Sequence, residues 1–144
     1  MNRYWDTSGI IRAYLNGWTP EGVTHAHAIA EFVCVLTGPG VLVQKDGQPV
    51  KKVVNMEAAA KAARRMFARL QFQDLSGSET LAAMERAAKI PNVTGRHVHD
   101  FVHVAAAEKH NADAIVTLNL KDFSRMTKLR LESPSAPLAS GRAV

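Results

Sequence analysis

The chain has 144 residues, 47% hydrophobic and 22% charged, which suits one globular domain with a continuous core and excludes wholesale disorder. Eighteen Lys and Arg against thirteen Asp and Glu give a formal charge of +5, a balance that favours polyanionic partners without naming one. No run approaches the roughly 18 apolar residues of a membrane span, and Asp6, Ser8 and Arg12 break the amino-terminal segment before it reaches the length of a signal-peptide core, so a cytoplasmic protein is expected.

In chain order, Arg3 to Trp5 predicts a short strand ending at Asp6, after which Thr7 or Ser8 caps a helix carrying Ile10, Ile11, Tyr14 and Leu15 that stops at Gly17. An acid at a strand end followed by hydroxyls suits both a helix cap and a site at the carboxyl edge of a sheet. Thr24 is the expected cap of the next helix, THAHAIAEFVCVLTG, with Gly38 as its stop. Glu31 is the sole carboxylate of that helix, and Ala28, Ile29, Phe32, Val35 and Leu36 around it are expected to face the core. A charged group in that setting needs a partner or a cation. The single cysteine, Cys34, lies in the same apolar run and reads as a core thiol in a reducing compartment.

Between Gly38 and Asn55, VLVQ and PVKKVV look extended around a turn at Lys45 to Gln48, predicting a hairpin or arm. Met56 to Leu70 is amphipathic, with Ala59, Ala63, Met66, Phe67 and Leu70 on one side. Its Lys61, Arg64, Arg65 and Arg69 form either a solvated face or a phosphate-facing one. Phe72 to Leu75 is an expected strand, and Ser76 or Ser78 caps a helix over Thr80 to Lys89 closed by Ile90-Pro91. A third long helix spans Arg96 to His110, then Ala114 to Leu118 reads as a buried strand ending at Asn119. A polar loop with Asp122 follows, then an edge strand over Lys128 to Glu132 and a frayed tail over 134–144, giving a domain of residues 1–133. Alternation of strands and helices predicts an α/β/α sandwich around a mostly parallel sheet.

The acids near predicted strand ends or crevice-facing helix turns are Asp6, Glu31, Asp100 and Asp122. Two unit charges about 4 Å apart at an effective dielectric near 20 repel by about 4 kcal/mol, so such a cluster requires protonation or a cation. Hard oxygen donors select magnesium or manganese, and with a basic surface that is nuclease chemistry.

The ordered set YWDTSGI, HAIAEFVCVLTG, VTGRHVHDFVHVAAAEKHNADAIVT and LNLKDF, spanning about residues 4 to 123, resembles the PIN-domain proteins, in particular the small VapC-like toxins of toxin-antitoxin pairs. The resemblance implies an Mg2+- or Mn2+-dependent ribonuclease leaving 5'-phosphate and 3'-hydroxyl ends, with an RNA substrate, a cognate antitoxin and a homodimeric assembly. It places the metal-binding, catalytic acids on Asp6, Glu31 and Asp100; the fourth position is divided between Asn119, where many relatives have Asp, and Asp122. Ser8, Arg96 and Asn119 are candidate substrate contacts, and Thr7, Ser8 and Thr117 either orient the acids or serve as caps.

Two other readings compete. His99-Asp100-Phe101-Val102-His103 superficially matches the one-turn His pair of HExxH zinc hydrolases, but Asp is a methylene too short and no spacing among His25, His27, His97 and His110 fixes a third ligand. A non-catalytic RNA- or protein-binding module on the same scaffold is the second, favoured by Asn119.

Overall fold

Tyr4 and Trp5 are adjacent in sequence and both buried, yet they belong to different cores, because successive strand residues point to opposite faces of a sheet. The same alternation separates Ile115 from Val116. A computed structural model describes residues 1–134. In it β1 (Arg3–Trp5), β2 (Gly22–Thr24), β5 (Leu70–Phe72), β6 (Ala114–Val116) and β7 (Arg130–Glu132) form one parallel sheet in the order β5-β2-β1-β6-β7. Helices α1 (Thr7–Asn16), α2 (His27–Thr37) and α3 (Met56–Met66) supply the core on the Trp5 face. Helices α4 (Gly77–Ala87), α5 (His97–Lys109) and the short α6 (Leu120–Ser124) supply the Tyr4 face. This is the expected α/β/α sandwich, and the interior strand β6, Ala114-Ile115-Val116, is a fully buried apolar run because both faces are covered.

The chain leaves β1 toward β2 and β5, then returns on the other side as β6 and β7, so the strand order reverses about β1. In an open α/β sheet that reversal opens a crevice at the carboxyl ends of the strands. Asp6 follows β1 directly and Thr117 follows β6. Gly9 lets α1 approach this edge: a Cβ there would stand 2.7 Å from the Val116 carbonyl oxygen.

Sheet pairing displaced several expected boundaries. Thr24 is buried in β2 and donates its hydroxyl to the Trp5 carbonyl, so it does not cap α2; the Ala26 N–H is met instead by the Asp74 carboxylate. Asp6 itself, not Thr7 or Ser8, caps α1. The fifth strand is Leu70–Phe72, because it pairs in register with Gly22–Thr24 and α3 ends earlier, at Met66. Ser76 does cap α4, in a reciprocal capping box with Glu79.

The region around 39–55 is a separate two-stranded hairpin, β3 (Val41–Lys45) and β4 (Gln48–Lys52), turned at Asp46 and Gly47, both with positive φ as a tight hairpin turn demands. Cys34 is exposed, contrary to its expected core position, and Ile29 is also exposed: α2 buries only Ala28, Phe32 and Leu36 of the predicted stripe. The expected tail lies outside the described residues except for Pro134, which is buried.

Candidate functional site

A carboxylate in a helix N-cap normally meets one or two N–H groups, but the side chain of Asp6 also faces the next strand across the crevice. It accepts hydrogen bonds from the Gly9 N–H at 2.8 Å, the Ser8 hydroxyl at 2.8 Å and the Thr117 hydroxyl at 2.7 Å, and only 2% of the residue is exposed. The donors are themselves held: Ser8 Oγ accepts from the Leu118 N–H and Thr117 Oγ1 from the Asn119 N–H. Burial pushes the Asp6 pKa up, while the positive charge of His103 and these hydrogen bonds oppose the rise.

Asp100 lies on the first turn of α5. Its pKa is raised first by burial and next by the negative charge of Asp6, which lies near enough to be felt. Asp100 Oδ2 is 3.4 Å from His97 Nδ1, and that nitrogen is 4.0 Å from Asp122 Oδ2. Asp122 therefore stands one imidazole away from Asp100, and its other oxygen, Oδ1, binds Arg125 at 2.9 Å. Asp122, expected in a polar loop, thus lies on the short helix α6, shared between an imidazole and a guanidinium.

Glu31 is reached from both layers. Its Oε1 accepts from the Thr7 hydroxyl at 2.8 Å and pairs with His103 Nε2 at 3.0 Å. His103 is buried and its Nδ1 lies 2.7 Å from the Tyr4 hydroxyl, which forms the chain Tyr4-His103-Glu31. Burial holds the Tyr4 phenol protonated well above its usual range, and the imidazole of His103 hydrogen-bonds the phenol through Nδ1 and Glu31 through Nε2. For Glu31, burial raises the pKa, but the His103 hydrogen bond and charge, helped by Thr7 and His27, outweigh it and keep the group ionised.

Three crevice acids are thus tied to one neighbourhood: Asp6 and Asp100 through mutual repulsion, and Glu31 through His103, whose charge acts on all three. Oxygen donors under mutual repulsion suit a divalent magnesium-class ion, which retains part of its water shell and does not need every carboxylate at bonding distance. Ser8 spends its hydroxyl on Asp6, so it orients the acid. Arg96 is exposed at the start of α5 and forms no salt bridge among the described residues, and the side chain of Asn119, also exposed, makes no hydrogen bond among them.

His103 is a neighbour of the acids that its place as the second histidine of the HDxxH pair does not single out. The available signal was its place three residues after Asp100 inside the apolar run Val102 to Ala107, where a solvated imidazole has no room. The structure also separates the two histidines of the HDxxH pair: His103 turns inward, while His99 is exposed and stacks on His27 with ring centroids 5.9 Å apart.

The sequence model of the PIN domain family matches residues 6–129. No curated protein matches the chain. Among solved structures, a chain of VapBC2 from Rickettsia felis, bound to a DNA fragment from its promoter, superposes with a TM-score of 0.63 at 19% identity, covering 92% of this chain and 98% of that one. A chain of VapBC-1 from nontypeable Haemophilus influenzae gives 0.62 at 18% identity, covering 94% and 100%. Likeness at these identities establishes the shared fold.

Proposed function

This chain belongs to the PIN domain family, and on that premise we propose that it is a divalent-metal-dependent endoribonuclease, the toxin of a toxin-antitoxin pair. What supports the reading is that Asp6, directly after β1, and Asp100, in the first turn of α5, are near enough for the charge of Asp6 to raise the pKa of Asp100. Asp6, Asp100 and Glu31 hold Mg2+ or Mn2+ in this reading, and Asp122 supports them through His97. Such an ion, when bound, supplies charge neutralisation at a phosphate and makes water a competent nucleophile at neutral pH. Hydrolysis adds water across the P–O3' bond, so the products carry a 3'-hydroxyl and a 5'-phosphate.

The residues of this chain then have distinct tasks. Ser8, Thr117 and the Gly9 N–H fix the Asp6 carboxylate in one orientation before any substrate arrives. Tyr4 and His103 hold Glu31 ionised and aimed from the opposite layer. In this reading the exposed Arg96 and Asn119 meet the RNA backbone, and the net charge of +5 steers it inward. For an antitoxin, an apolar cleft of about 530 Å³ lined by Ile29, Val33, Met56, Ala63, Phe67 and Phe72 offers a surface free of carboxylates. The VapBC complexes of the structural neighbours support a partner of this kind, and a second copy of the chain completes the proposed assembly.

The test is manganese-dependent cleavage of structured RNA by the purified protein and by Asp100→Asn. Loss of cleavage in the variant is expected; equal cleavage ends the proposal. Asn119 favours one other reading, a binding module without catalysis, which is established instead if RNA binds with steep salt dependence while manganese neither raises Tm nor promotes cleavage.

A further inference from the structure

His27 and Glu31 are four residues apart on α2, so their side chains rise from the same helix face one turn apart. Across the groove, His99 of α5 lies parallel to His27, with an interplanar angle of 15°. Candidate donor atoms of His27, Glu31 and His99 all lie within 4.8 Å of one another, the one such trio of metal-ligating side chains among the described residues. Asp6 and Asp100 are not members of it. Neither imidazole makes a side-chain hydrogen bond among those residues, and both are exposed. The hydrogen bonds of Glu31 fall on Oε1, which leaves Oε2 open.

The geometry points to a second metal site, His27-Glu31-His99, that takes a borderline-soft divalent ion of the zinc class at the mouth of the acid crevice. Two imidazoles and one carboxylate are zinc chemistry, because nitrogen donors favour the later transition metals over magnesium. With zinc–nitrogen bonds of about 2.0–2.1 Å, tetrahedral donors stand about 3.3 Å apart. About 1.5 Å must close by rotation of exposed side chains, which have room to move. Three protein ligands leave the fourth position to water or a ligand. The site resolves what the HDxxH spacing could not: His99 finds its ligand partners on another helix, not one turn onward at His103.

Glu31 is common to this trio and to the proposed nuclease acids. An ion on Glu31 therefore competes with one in the crevice, and by linkage each weakens the other. That consequence rests on the nuclease reading; zinc binding itself does not.

The experiment titrates zinc chloride into chelator-treated, full-length protein by calorimetry, without RNA or manganese, and repeats it with His27→Ala, His99→Ala and Asp6→Asn after circular dichroism confirms folding. One zinc per chain is expected, weakened by about 100-fold or more in each histidine variant, beyond the 10–100-fold typical of losing an outer hydrogen-bond partner, and within threefold of wild type in Asp6→Asn. Cobalt in place of zinc should show the visible bands of a four-coordinate ion, which the histidine variants lose. Absence of zinc binding, or binding that survives His99→Ala and disappears in Asp6→Asn, overturns the site. A chain that cuts no RNA but binds zinc through these histidines loses the nuclease reading and keeps this one.

Discussion

Asp6 and His99 meet the same crevice from structures of opposite character. Asp6 is buried at the junction of β1 and α1, with backbone and hydroxyl donors from two strand ends already aimed at its oxygens. His99 projects from the exposed face of α5 and touches another imidazole by stacking alone. The contrast shows what each setting offers a side chain: the sheet edge holds the Asp6 carboxylate with a backbone N–H and two hydroxyls, whereas the face of α5 leaves the His99 imidazole without a hydrogen bond among the described residues. Asp122 sits between these extremes, shared by His97 and Arg125 on a short helix.

The largest expected effect tests the strand end. Asp6→Asn should lower manganese-dependent RNA cleavage by about 100-fold or more, since several kcal/mol of charge stabilisation are lost, whereas Asp122→Asn, acting through His97, should lower it by about tenfold. Equal losses in a side-by-side rate measurement would erase the distinction between fixed and adaptable acids.

Next comes Gly9. Replacing it with Ala drives a methyl against the Val116 backbone and disturbs the N–H that holds Asp6, so unfolding in urea should show a loss of about 1–3 kcal/mol. A neutral result would mean that α1 is free to shift away from β6.

The smallest effect concerns metal-free protein. Because burial and Asp6 raise the pKa of Asp100 in the folded state, the folded state binds that proton more tightly than the unfolded chain, and the ionised carboxylate destabilises the fold above the raised value. Asp100→Asn should therefore raise Tm by roughly 2 to 4 °C at pH 7, a gain that shrinks as pH falls through the carboxylate range and Asp100 becomes neutral. Manganese is expected to raise the Tm of wild type, and the same variant should lose that increase. A lowered Tm at pH 7 in the absence of metal would show that Asp100 is not under repulsion.

Much of this architecture was legible in the chain because it is local. The strand ending at Asp6, the cap at Ser76, the Asp46-Gly47 turn and the helix bearing Asp100 each follow from near neighbours in sequence, through capping bonds, turn geometry and apolar period. The candidate acids were legible for the same reason, being set at strand ends or on helix turns whose position the pattern fixes. What pattern could not supply was the partner of each group. Thr24 looked like a helix cap until β1 and β5 claimed it, and Cys34 looked like core because periodicity cannot tell which side of an apolar helix finds a neighbour.

Sequence alone determined the parallel layered fold, the presence of candidate acids next to element ends, and the basic balance, since these depend on residue type and on spacings of a few residues. Only the tertiary structure decided that His103 bridges Tyr4 and Glu31, and that His27 and His99 lie together. Those pairings join side chains that are 72 or more residues apart, so they are set by how β1, α2 and α5 come together, a distance in space on which one-dimensional order has no hold.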